Sequence, residues 1–207
     1  MNDATPEIFI YKMVVDNGGA PCVTGKLLSL AICKPKIRKS ACKGSLIFGF
    51  GGKKYDERLI YIACVTDKLE SGDYYRHREY ARRSDCIYKD VDGKAKRKTS
   101  ARFHIDSDHR KRDVGFEFEN AFVLLSEDFR YFGKLGTTDY KNHNPNLKKL
   151  IEGLKQGHRN HLNPELRKEL LNLKDKIWAK NNRMKIGLPT EANFKLACNT
   201  DCPSARC

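Results

Sequence analysis

The sequence predicts an α+β domain built on a curved, mixed or antiparallel β-sheet with short helices. Several short β-branched and aromatic runs end in turn residues, proline-opened helix signals interrupt them, and a sustained helical pattern begins only after Tyr140.

Residues 8–15 are apolar and β-branched or aromatic, and Asp16, Asn17, Gly18 and Gly19 then supply turn chemistry. A second apolar run over 27–33 stops at Lys34. Pro35 suits the first turn of a short basic helix over 35–43, and Gly44 ends it, grouping Lys34, Lys36, Arg38 and Lys39. Residues 45–52 and 58–69 read as a hairpin joined by a polar loop. Asp73 caps a helix predicted to run to Arg83, with its aromatics packed on the sheet. Residues 89–102 combine a D-G turn with clustered cations and read as an exposed basic loop. A strong strand over 121–125 delivers the polar and aromatic run 126–133. Pro145 then opens a helix over 145–156, and Asn163-Pro164 opens another carrying Leu166, Leu170, Leu173, Ile177 and Trp178 at helical spacing. The expected organisation is an α+β unit over 1–141, a C-terminal helical pair over 142–187 packed on it, and a cysteine-containing tail over 188–207.

A chain of 207 residues can bury a core without disulfide staples. No apolar run approaches the roughly 20 residues that span a bilayer, and the first residues lack a secretory pattern, so a cytoplasmic location without membrane contact is expected. Cys22, Cys33, Cys42, Cys64 and Cys86 are scattered through apolar runs and read as free, mostly buried thiols. Cys198, Cys202 and Cys207 cluster without a histidine, a poor match to the four ligands of structural zinc. No metal site is predicted, and no cofactor is named by the residues.

The net charge of +14 is concentrated. Residues 76–112 hold 13 Lys/Arg against 6 Asp/Glu, a net +7, and residues 141–185 hold 12 against 4, a net +8. Such positive stretches favour phosphate-bearing partners, though they also serve solubility.

The standard nucleotide-hydrolase, zinc-protease and serine-hydrolase motifs are missing. The F-G-F-G-G run at 48–52 leads into another strand and not a helix. It is therefore a β-bulge that curves the sheet, with close approach of a base as the alternative. In F-H-I-D-S-D-H-R, His104 and His109 flank Asp106 and Asp108, a spacing open to acid–base work or to a solvated loop. The turn at Ser126–Asp128 is open to a cap or a site role.

Taken in order, Y-K-M-V-V-D-N-G-G-A-P-C, C-K-P-K-I-R-K-S-A-C-K-G-S-L-I-F-G-F-G, R-L-I-Y-I-A-C-V-T-D-K-L, Y-A-R-R-S-D-C-I-Y and L-L-S-E-D-F-R-Y-F-G resemble the second type of the nucleotide modification associated domain family. The resemblance spans roughly residues 8–133, with an echo at Gly157-His158-Arg159. It implies a role beside enzymes that modify DNA bases, largely in bacteria and phages. It singles out Asp16, Lys34, Arg38, Arg83, Asp85, Ser126, Asp128 and His158, with Tyr11, Tyr75, Tyr88, Phe129 and Tyr131. The basic helix followed by G-S-L-I-F-G-F is also similar in layout to the partly open modified-base-binding barrels of the PUA and EVE group.

The leading expectation is a module that recognises a nucleotide or base in nucleic acid. Lys34 and Arg38 hold a phosphate, Phe48, Phe50, Tyr61 and Tyr75 stack a base, and Asp16, Arg83, Asp85 and Ser126 complete the binding set. The alternative is an enzyme acting on a nucleotide or nucleobase, with Asp128 or His109 as the acid–base group. A third is a subunit whose basic faces bind an acidic protein.

Overall fold

The computed structural model describes residues 6–104, 107–155 and 157–191. Asp106 and the three cysteines Cys198, Cys202 and Cys207 lie outside the described residues.

The fold is mixed α+β with its strands in three sheets, and no closed barrel forms among the described residues. The first sheet has the order β10 (Asp128–Tyr131), β5 (Leu59–Cys64), β4 (Leu46–Gly51), β1 (Ile8–Met13), β11 (His158–Arg159). β1 and β4 run parallel, and the other neighbours are antiparallel. The second sheet orders β2 (Cys22–Thr24), β3 (Leu27–Leu30), β9 (Val123–Ser126) and β6 (Asp67–Leu69), all antiparallel.

The two sheets face each other across a core. Strand alternation sends Phe9, Tyr11 and Met13 of β1 into that core, where they meet Leu28, Leu30 and Leu124 of the second sheet. Ile37 and Ala41 join them from α1 (Pro35–Ser40) and its end. The opposite alternation sends Ile8, Ile10, Phe48 and Phe50 outward against Tyr140 of α4 (Tyr140–His143), Leu147 and Ile151 of α5 (Pro145–Gly153), and Leu170, Leu173 and Ile177 of α6 (Pro164–Lys180). Beyond the second sheet, Tyr74 and Tyr75 of α2 (Asp73–Arg76) pack with Tyr88, Ala95, Val114 and Phe118. Each large apolar side chain so enclosed contributes about 1.5–3 kcal/mol.

Three segments differ from the sequence reading. The 58–69 run divides: β5 stays in the first sheet, and the chain crosses at Val65 so that β6 pairs with β9 in the second. The helix expected to reach Arg83 stops at Arg76, where His77 turns extended (ψ 128°). Tyr80 stacks on Tyr74 at 4.7 Å, and Arg83 turns inward to bond Cys22 O, Leu27 O and Ser29, contacts that a continuous helix would forbid. The basic loop expected over 89–102 contains a hairpin, β7 (Tyr88–Val91) and β8 (Lys94–Arg97). Its turn residues Asp92 (φ 53°) and Gly93 (φ 77°) are both left-handed, as a two-residue hairpin turn requires.

The F-G-F-G-G run is strand, with a register shift between Gly49 and Phe50 where β4 meets β5. A Cβ on Gly49 would overlap the Tyr61 ring and stand 2.9 Å from the Met13 sulfur. Equilibrium urea unfolding should show G49A losing about 1–3 kcal/mol through overpacking. G153A, where a Cβ meets nothing within 4 Å, should stay within about 1 kcal/mol of wild type.

Candidate functional site

After β3 the chain must turn sharply into α1, and it does so through Cys33 (φ 59°) and Lys34 (φ 44°), two successive left-handed residues neither of which is glycine. That conformation costs about 1–2 kcal/mol per residue, so something must hold it. The Cys33 N–H donates to Asp113 Oδ1 at 3.0 Å, and Arg38 Nε donates to the Cys33 carbonyl at 2.6 Å.

Asp113 ends α3 (Ser107–Asp113) and is almost wholly enclosed. Its Oδ1 also faces Arg38 Nη2 at 3.4 Å, while Oδ2 accepts from the Tyr88 hydroxyl at 3.1 Å and takes a short hydrogen bond from His104 Nδ1. The other ring nitrogen, His104 Nε2, lies 3.1 Å from Cys33 Sγ. Thiol, imidazole and carboxylate thus form a chain of contacts, drawn from a strand-to-helix turn, a left-handed residue (His104, φ 51°) and a helix end. Burial disfavours the charged ring, but the Cys33 sulfur and Asp113 outweigh it and raise the His104 pKa well above its ordinary value. Burial likewise opposes ionisation of Asp113, yet His104 and Arg38 hold its pKa below the usual carboxylate range.

Cys33 is half-buried. Around it, Lys34 Nζ sits 4.8 Å from the centre of the Tyr11 ring, and the Tyr11 hydroxyl bonds the Tyr61 hydroxyl at 2.9 Å. His158, beside β1, has its pKa lowered by burial and by the charges of Lys36 and Lys34, which marks a cationic rim. His109 lies with its ring 4.4 Å from that of His104.

The segment that supplies His104 also supplies the wall of a cleft of about 230 Å³, lined by Asn17, Gly18, Pro21, Cys22, Val23, Ser84, Arg102, Phe103, Tyr131, Lys185 and Pro189. Gly19 approaches Phe103 so closely that a Cβ would stand 3.0 Å from the ring, which ties the glycine turn to this wall. The far wall is set by Asp16. Its carboxylate accepts from the Tyr131 hydroxyl at 2.7 Å and from Thr190 N and Oγ1 at 2.9 and 3.0 Å, pinning residues 185–190 across the opening. Arg102 and Lys185 are exposed and enter no ion pair among the described residues.

A family model described as nucleotide modification associated domain 2 matches residues 5–196. The chain belongs to that family. No curated protein and no solved structure matches it. The match to nucleotide modification associated domain 2 extends beyond the 8–133 stretch of resemblance and its echo at 157–159, and so takes in α6 and the segment that closes the cleft.

Within this nucleotide modification associated domain Lys34 adjoins the thiol, whereas Asp16, buried and bonded to Tyr131 and Thr190 behind the cleft, and other expected binding residues are framework. Arg38 is wholly enclosed and also donates through Nη1 to Asp113 O and Phe122 O, so it holds protein and offers no phosphate clamp. Phe48, Phe50 and Tyr61 have no exposed surface and Tyr75 only 6%, so they present no ring face to a base. Arg83 and Asp85 knot β2 to β3: Asp85 accepts from Ser29 Oγ at 2.5 Å and from the Tyr74 hydroxyl at 2.7 Å. Ser126 Oγ closes its own turn onto Asp128 O and N. Asp128 accepts from Trp178 Nε1 at 2.7 Å on the edge strand β10, and it makes no contact with the thiol group. His109 stacks near the line of groups, while the contact to sulfur belongs to His104. Asn17, Phe103, Arg102, Lys185, Cys33 and Asp113 were not identified as site residues from sequence. Only the left-handed strain at Cys33, invisible in a linear chain, would have drawn attention to it. No three His, Cys, Asp or Glu side chains gather to hold a metal ion among the described residues.

Replacing the Asp113 charge strands Arg38 and His104 in the interior, so D113N should lose about 3–5 kcal/mol at neutral pH by urea unfolding. Because folding depresses the Asp113 pKa, its contribution is present above the ordinary value near 3.9. It is lost as pH falls through the native one. Acidification should therefore begin to bring wild type and D113N together below about pH 4 and complete the convergence only below the native pKa.

Proposed function

We propose that this domain recognises a nucleotide, free or within nucleic acid, in the cleft beside the 17–23 turn. The observation that carries the reading is that the two basic segments of the chain meet there: Arg102 belongs to the first and Lys185 to the second, and the Phe103 ring lies with them. A planar guanidinium suits a phosphate, an ammonium adds a second positive charge, and an aromatic wall accepts a base by stacking. The volume lies below the roughly 300–1,000 Å³ of pockets for drug-sized ligands, which suits a single nucleotide unit. Membership of a family named for nucleotide modification supports the same partner class. The role assigned is recognition of a base, modified or not, within the DNA modification systems of bacteria or phages, in the cytoplasm.

Fluorescence anisotropy with labelled single-stranded oligonucleotides and competing nucleoside monophosphates tests this at 50 and 200 mM salt. Wild type should bind more weakly at the higher salt, and R102A/K185A should lose about tenfold or more at the lower. Equal binding by wild type and the double variant would remove the cleft from the proposal.

A further inference from the structure

The Cys33–His104–Asp113 line is more than a recognition site needs. A binding cleft gains nothing from a half-buried thiol held against an imidazole, nor from the two left-handed residues of the turn that carries it. A strained strand-to-helix turn is one way a fold presents a nucleophile, and a base held in turn by a carboxylate is the arrangement that activates it.

We propose that Cys33 is a covalent nucleophile and that the domain cleaves an acyl bond, an ester or amide, borne by a nucleotide or its modified base. The nucleotide part rests on the cleft reading above, while the thiol chemistry does not. With the shared proton already on His104 Nε2, the sulfur lone pair attacks the acyl carbon, moving the carbonyl π pair onto oxygen. Collapse of that intermediate breaks the bond to the leaving alcohol or amine. The leaving group takes the proton from Nε2, and a thioester on Cys33 remains. Water then gives a proton to Nε2 as its oxygen attacks the thioester. The C–S bond breaks, the proton stays on Nε2 beside the freed sulfur, and a carboxylic acid departs. The sum is hydrolysis, with no oxidant or reductant. Asp113 acts through Nδ1 as a positioning residue that favours the charged ring. Lys34, whose ammonium lies over the same Tyr11 ring that neighbours Cys33, supplies a cation for the oxygen that gains charge. Simple addition to a base ring would need no proton delivered to a leaving group, which is what Nε2 at 3.1 Å from sulfur provides.

Iodoacetamide labelling at pH 6, read cysteine by cysteine by peptide mass spectrometry, tests the nucleophile in the wild-type protein. Cys42 is the exposed internal reference. Cys33 should react about tenfold faster or more than Cys42, although it is the less exposed thiol. In H104Q, checked for folding by circular dichroism, that advantage should vanish. Reaction of Cys33 no faster than Cys42 in wild type overturns the proposal without recourse to any variant. p-Nitrophenyl acetate should place an acetyl group on Cys33 that decays in wild type and is absent in C33A. Acetylation that spares Cys33 overturns the acyl step. D113E should shift the pH profile of that acetylation, whereas a purely structural Asp113 would change only its extent. Nucleoside monophosphate should slow alkylation of Cys33. Selective labelling without such protection overturns the nucleotide substrate while leaving the nucleophile standing.

Discussion

One buried carboxylate organises the half of the molecule that carries the candidate chemistry. Asp113 meets the Cys33 amide, Arg38, Tyr88 and His104, groups from the β3–α1 turn, α1, β7 and the 104 segment. Removing a carboxylate from water costs several kcal/mol, and only close cationic and hydrogen-bonding partners offset that. Those partners are therefore held in place as firmly as the charge itself. The left-handed pair at Cys33 and Lys34 persists because both peptide faces of Cys33 are bonded, one to Asp113 and one to Arg38.

Asp16 does for the cleft what Asp113 does for the thiol. It joins the end of β1 to Tyr131 at the end of β10 and to Thr190, so a segment more than 170 residues away becomes a wall beside the glycine turn. The two constructions share the residues 102–104, with Arg102 and Phe103 facing the cleft and His104 the sulfur. Recognition and chemistry would then be coupled through three consecutive residues, with no moving part required.

The strands were legible because their apolar runs are short, β-branched and bounded by turn residues. β1 and β4 lie within the segments whose composition marked them as strands, and β9 overlaps its segment but runs one residue past it, to Ser126. The F-G-F-G-G run fits the bulge that the absence of a following helix suggested. Charge and aromaticity in a linear run do not make a side chain a surface group. Arg38 in a basic run looks like a phosphate ligand until its donors are seen to be used by two carbonyls and a carboxylate. Phe48 and Phe50 look like stacking platforms until helices α4 to α6 cover them.

The linear chain determined the α+β class, the family and the two basic stretches, since local propensity, motif order and composition are properties of neighbouring residues. Only the tertiary structure decided which cations stay free and which cysteine faces a histidine. Those outcomes depend on contacts between residues tens of positions apart, such as Cys33 with His104, where burial and pairing, not residue type, set what a side chain can do. The curved-sheet domain read from the sequence is thus a scaffold on which Asp113 and Asp16, two acids in a basic protein, arrange the site.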